Sequence, residues 1–280
     1  MVAFALGAMP GTDMVAAADV IAGETGDVRT IPRLPARGIM SDAVGATCAL
    51  LPDAPVAAGP RSWRLEARPQ LITRRLWDQA ERDLDLLEAE WGSSGFTVQV
   101  AALGPWSLAA QVELPNGHLA VTDPGALHDL TEIVTYGLAE HASRLRRRFH
   151  GEVNIQVNEP LLAALNRGEI AGTNDFDVLR PIPAKELGER LHYVFESLPG
   201  RRLLGNGSRP LFDVARIAQP DAIIVPQSAL VGSELLDGCA ATLDAGIGVS
   251  LGCVTLGNDV DDARDVAIKI AQLFDELRMD

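Results

Sequence analysis

The chain has 280 residues, 47 % of them hydrophobic types, and a formal net charge of −14. That much apolar material supports a large core, while so acidic a surface repels nucleic-acid phosphates and anionic membranes, so neither is an expected partner. Cys48, Cys239 and Cys253 are too scattered for a disulfide framework or a zinc cluster, and they read as small buried hydrophobes in a reducing compartment.

No apolar run approaches the ~18 residues of a membrane-spanning helix. The opening stretch from Met1 to Gly7 lacks the basic flank of a signal peptide, so a cytoplasmic location is expected. Val2 to Leu6 reads as a first strand, and Thr12 or Asp13 as the cap of an alanine-rich helix. Residues 24–38, with two glycines and two prolines, read as a long loop. A helix over Asp42 to Leu51 and a strand or hairpin near Val56 to Leu65 follow.

Leu71 to Glu90 has the charge and leucine spacing of an amphipathic helix, and Phe96 to Ala102 the run of a strand that ends at Gly104-Pro105-Trp106-Ser107. Asp123-Pro124 starts a helix with aspartate as cap and proline at the first turn. It reaches about Arg148, where Arg144, Arg146, Arg147 and Arg148 suit a solvated C-terminus better than a phosphate site. Val153 to Val157 is a strand, followed by a short helix from Leu161, a loop over 172–177 and a helix over Ala184 to Leu198. Further strands are expected at Arg202 to Leu204, Ala222 to Val225 and Ile247 to Leu251, with a last helix over Val260 to Leu277. Strands alternating with helices indicate a parallel α/β fold. GxGxxG and P-loop motifs are absent, which favours one (β/α)8 TIM-type barrel over residues 1–280, its C-terminal strand either missing or supplied by another segment, above a doubly wound sheet.

Five segments carry a family resemblance: Gly7-Ala8-Met9-Pro10-Gly11-Thr12, Leu34-Pro35-Ala36-Arg37-Gly38, Ser62-Trp63-Arg64-Leu65, Gln99-Val100 with Gly104-Pro105-Trp106-Ser107-Leu108-Ala109, and Gln156-Val157-Asn158-Glu159-Pro160. In this order the chain resembles the short single-barrel relatives of cobalamin-independent methionine synthase, within the superfamily that includes uroporphyrinogen decarboxylase. The resemblance implies methyl transfer from a folate donor to a small thiol such as homocysteine, with zinc holding the thiol as thiolate. A bound cation makes chemical sense there, because a free thiol with a pKa near ~8.5 is mostly protonated at neutral pH.

The family's zinc ligands do not carry over. Where it has a His-x-Cys pair this chain has Leu203-Leu204-Gly205-Asn206-Gly207-Ser208, and where it has an acid this chain has Pro226-Gln227-Ser228. The strand bearing its last cysteine is expected beyond Asp280, and Cys253 matches no ligand position. No metal ligand is therefore assigned. Asn158 stands where the family has an aspartate, keeping an acceptor oxygen but losing the charge that would pair with a substrate amino group.

Glu159 is the candidate catalytic residue, as acid, base or ligand anchor, or else a structural acceptor for loop amides. Asn158, Met9, Trp106 and Ser107 are the candidate substrate-binding residues. Trp106 is either a wall for a flat ligand such as a pterin or a cap on the barrel interior, and Ser107 is equally a helix cap. Trp63 and Arg64 face the mouth, or Arg64 pairs with a surface acid. Asp13 and Asp42 read as caps. None of the five histidines falls at a strand end. Two functions stay open: a divergent methyltransferase, and a non-catalytic relative that binds a small molecule or a partner. An open barrel would leave unpaired strand edges, which a homo-oligomer would bury.

Overall fold

The computed structural model describes residues 2–59, 61–172, 179–253 and 263–277. Among the described residues nine strands are formed: β1 (Val28–Thr30), β2 (Val56–Ala58), β3 (Trp63–Leu65), β4 (Thr97–Leu103), β5 (Val112–Glu113), β6 (Val153–Asn158), β7 (Arg201–Gly205), β8 (Ala222–Pro226) and β9 (Gly248–Gly252). The helices are α1 (Met14–Glu24), α2 (Ala43–Cys48), α3 (Leu71–Trp91), α4 (Pro105–Ala109), α5 (Pro124–Phe149), α6 (Leu162–Arg167), α7 (Ala184–Ser197), α8 (Phe212–Ala218), α9 (Ser233–Asp244) and α10 (Ala263–Glu276).

Six strands form one all-parallel sheet in the order β1-β4-β6-β7-β8-β9. The remaining three make a small separate sheet, an antiparallel β2–β3 hairpin with β5 parallel to β3. The large sheet is the α/β arrangement expected, curled as a half-barrel; among the described residues it has six strands rather than eight, with β1 and β9 at its edges.

Strand periodicity sorts the residues of this sheet onto two faces. Val98, Val100, Ile155, Val157, Leu204, Ile223 and Val225 join the main core with the helix residues Leu138, Leu145 and Leu191. The opposite face carries Gln99, Gln156 and Asn158, then Leu203, Ala222 and Ile224, which form a small cluster of their own with Phe4. One face is thus oily and covered by helices; the other carries the polar row on β4 and β6 beside an aliphatic patch on β7 and β8.

One expected strand, the first, does not form. Residues 2–6 make no ladder; the carbonyl of Ala5 accepts from Thr30 Oγ (2.7 Å) and that of Leu6 from Gln156 Nε2 (3.3 Å). Side chains of the inner face take these carbonyls, and regular pairing is reduced to the parallel bridge Ala8–Arg33. The stretch read as a long loop contains β1, whose Val28-Arg29-Thr30 alternation is too short to stand out beside Pro32 and Pro35. The loop expected over 172–177 and the start of the last helix at 260–262 lie largely outside the described residues.

Local rules account for the remaining element ends. Asp13, Asp42 and Asp123 each cap a helix by accepting from its first-turn amides, and Pro124 sits in the first turn of α5. The arginine-rich end of α5 is solvated at Arg144 and Arg147 but also makes ion pairs. Arg148 bonds Glu88 Oε2 at 2.6 Å and also meets Asp85 and Glu81, while Arg144 pairs with Glu81, so the cluster fastens α5 to α3.

Candidate functional site

Asn158 closes β6 at the C-terminal end of the sheet, between β4 and β7, and is partly exposed. In parallel α/β sheets this end is where ligands are held. The Asn158 side chain is on the inner face, in a row of amides. Gln99 Nε2 donates to Gln156 Oε1 at 2.8 Å, and Gln156 Nε2 donates to Asn158 Oδ1 at 2.9 Å. The row aims the Asn158 amide: with its oxygen occupied, its NH2 is the end presented onward. Gly205 on β7 makes room for it, since a Cβ there would overlap Asn158 Oδ1.

Glu159, one residue later, points the other way. It is fully buried; Oε1 accepts from the Trp106 amide (3.0 Å) and Oε2 from the Ser107 amide (2.7 Å) at the first turn of α4. Gly104 leaves the space, since a Cβ there would collide with the carboxylate. Burial pushes this carboxyl up to about 7, against the Ser107 hydroxyl and the two amides, which favour the charged form. Ser107 Oγ also accepts from the Leu161 amide at 3.1 Å. Glu159 and Ser107 therefore bind the loop after β4 to the loop after β6; for Glu159 this is the acceptor arrangement weighed above, whereas Ser107, expected as a helix cap, follows the α4 cap residue Gly104 by three positions.

Trp106 is fully buried in the helix layer. Its indole N–H donates to the Leu187 carbonyl on α7 (3.1 Å), and the Arg190 guanidinium lies 5.0 Å from its ring centroid. Met9 is partly buried against the main core, its amide donating to Arg33 O. Trp63 is buried, bonding Asp42 Oδ2 at 2.8 Å, and Arg64 pairs with Glu66. Of the five candidate catalytic and substrate-binding residues, only Asn158 lies on the inner face with an amide group unspent.

The structure also tests the zinc and folate that the resemblance implies. After β7, Asn206 is buried with Nδ2 on Leu211 O and Oδ1 unpartnered; after β9, Cys253 contacts Leu251 O. Among the described residues no three His, Cys, Asp or Glu side chains converge, so this donor set does not fit zinc. The one aromatic ring proposed to stack on a pterin is enclosed by α4 and α7, which does not fit a folate at the strand ends.

The row Gln99–Gln156–Asn158 is the feature sequence reading missed. Its signal is present: Gln99, Gln156 and Asn158 are polar residues at inward positions of otherwise apolar strands. Among the described residues no helix is long and apolar enough to cross a membrane.

No protein-family model matches the chain, and no curated protein does. Among solved structures the chain is similar to a methyltransferase from Methanosarcina mazei, at 13 % identity and TM-score 0.48, covering 95 % of this chain and 85 % of that one. It is also similar to a B12-independent methionine synthase from Shewanella sp. W3-18-1 in complex with selenomethionine, at 14 % identity and TM-score 0.48, covering 76 % of this chain and spanning 59 % of that one.

Proposed function

We propose that the protein is a ligand-binding relative of the methionine-synthase-like barrels, holding a small polar molecule at the C-terminal ends of β4, β6 and β7 through the Asn158 amide, without zinc-thiolate chemistry. The observation that carries this reading is the opposite orientation of Asn158 and Glu159. The neutral amide is presented on the inner face, while the carboxylate that would serve as acid or base is spent on the Trp106 and Ser107 amides. A site headed by an amide in place of a carboxylate has lost its preference for a free ammonium group.

Calorimetric titration with L-methionine and with N-acetyl-L-methionine tests this. The native protein is expected to bind both within a few-fold, and Asn158→Asp to shift preference toward the free amine by about tenfold, the worth of one charge-assisted hydrogen bond. Failure of either ligand to bind, or an Asn158→Asp variant with unchanged selectivity, defeats the proposal. The methyltransferase reading has its own decisive result: about one zinc per chain retained after purification, with methyl transfer from 5-methyltetrahydrofolate to homocysteine. The edge of β9, unpaired among the described residues, adds an oligomeric corollary, since two copies pairing there bury unpaired backbone groups. Sedimentation as a dimer at micromolar concentration is expected, and a monomer ends that corollary.

A further inference from the structure

On the far side of the helix layer, a half-open cavity of about 260 Å³ lies between α3, α5 and the segment after α2. Leu50 and Pro52 supply apolar wall, Trp77 and His141 line it, and the paired Glu81 and Arg144 border it. Two ring nitrogens there, Trp77 Nε1 and His141 Nε2, are buried and have no hydrogen-bond partner among the described residues. His141 as a whole is only 4 % exposed.

Buried polar atoms are nearly always satisfied, and leaving one unmade costs about 1–3 kcal/mol. Two in one cleft point to something that fills it. At about 30 Å³ per water the cavity exceeds what one or two bridging waters occupy, and it falls just below the range for drug-sized ligands. Burial and the neighbouring Arg144 push the His141 imidazole down to about 4, so the ring is neutral near pH 7. A neutral imidazole shows at Nε2 either a lone pair or an N–H, according to tautomer, whereas the indole can only donate.

We propose that this cavity is a binding site for a small neutral amide or lactam. Its carbonyl accepts from Trp77 Nε1, and its N–H or second carbonyl lone pair meets His141 Nε2 in either tautomer. Arg144 is spent on its pair with Glu81, and the remaining Glu140 disfavours an anion; an ammonium offers no acceptor to the indole.

The test is a titration of ¹⁵N-labelled full-length protein with δ-valerolactam, following the indole N–H signals of its four tryptophans, Trp77 being assigned from Trp77→Phe. The expected result is a saturable shift of the Trp77 signal alone, weakened about tenfold in His141→Leu, with no saturable shift from propionate or propylammonium. A Trp77 signal that does not move up to 50 mM lactam (roughly the weak end of fragment binding), or that moves equally with all four indoles, overturns the proposal. So does saturation by either charged control. The wild-type titration decides the matter even if His141→Leu fails to fold.

Discussion

Replacing Glu159 by glutamine should change how stability depends on pH, and the structure gives the size of the effect. Its carboxyl, ordinarily at 4.5, is pushed up to about 7 by burial. A group whose pKa is higher in the folded than in the unfolded state contributes stability that is fully present below the unfolded value and is lost as pH rises through the folded one. The window is therefore from about 4.5 to about 7, and the loss is flat above it. Between pH 5 and pH 8 the wild type should lose about 2.5 kcal/mol through this residue. Glutamine cannot ionise, so its variant lacks that slope, but it offers one acceptor oxygen to two backbone amides and carries a constant penalty of about 1–3 kcal/mol. Urea unfolding of both proteins at pH 5, 6, 7 and 8 cancels every other titrating group in the difference. The wild type should lead at pH 5, and the gap should shrink by about 2.5 kcal/mol, closing or reversing by pH 8. A gap that stays constant would mean that the carboxylate is ionised throughout, its two amides and the Ser107 hydroxyl outweighing burial, and the reasoning would be refuted.

Gly104→Ala should destabilise by about 3 kcal/mol or more in thermal or urea unfolding, because the new Cβ would lie 2.7 Å from both Glu159 Cδ and Val157 Cγ1. Gly205→Ala meets only the movable end of Asn158, so it should cost under about 2 kcal/mol while weakening methionine binding at least tenfold by calorimetry. Trp106→Phe should lower stability by about 2–4 kcal/mol through the lost Leu187 bond and lost volume, yet leave ligand affinity unchanged; an affinity loss without a stability loss would return Trp106 to the mouth. Arg148→Ala should cost about 1 kcal/mol at low salt and less than half that in 1 M NaCl, since its bonds to Glu88 and Asp85 lie near the surface.

Much of the fold is legible in the sequence because its signals are local. Asp123-Pro124 and the spacing after it mark the start of α5, and the β-branched run from Val153 marks β6, each to within a residue or two. What is not legible depends on partners far along the chain. β1 is defined by pairing with β4 some seventy residues later, and the first strand is undone by side chains from β1 and β6 that capture its carbonyls. The arginines of α5 illustrate the same limit, since nothing in their own segment says that Glu81, Asp85 and Glu88 of α3 stand opposite.

The site itself shows how a short motif misleads when it is read as a unit. Asn158 and Glu159 look like two polar groups delivered together to one mouth. Yet successive side chains of an extended segment point to opposite faces, and Val153, Ile155 and Val157 already mark the odd positions as the ones that enter the helix-covered core. By that period Asn158 belongs with Gln156 on the inner face, and Glu159 belongs with the valines. A carboxylate sent to the apolar side must find donors there, and the two free amides at the start of α4, left room by Gly104, are what it finds. The proximity of the two residues in sequence is therefore the reason they cannot share a role: one turns its amide to the inner face at the strand end, and the other holds the loops that frame it.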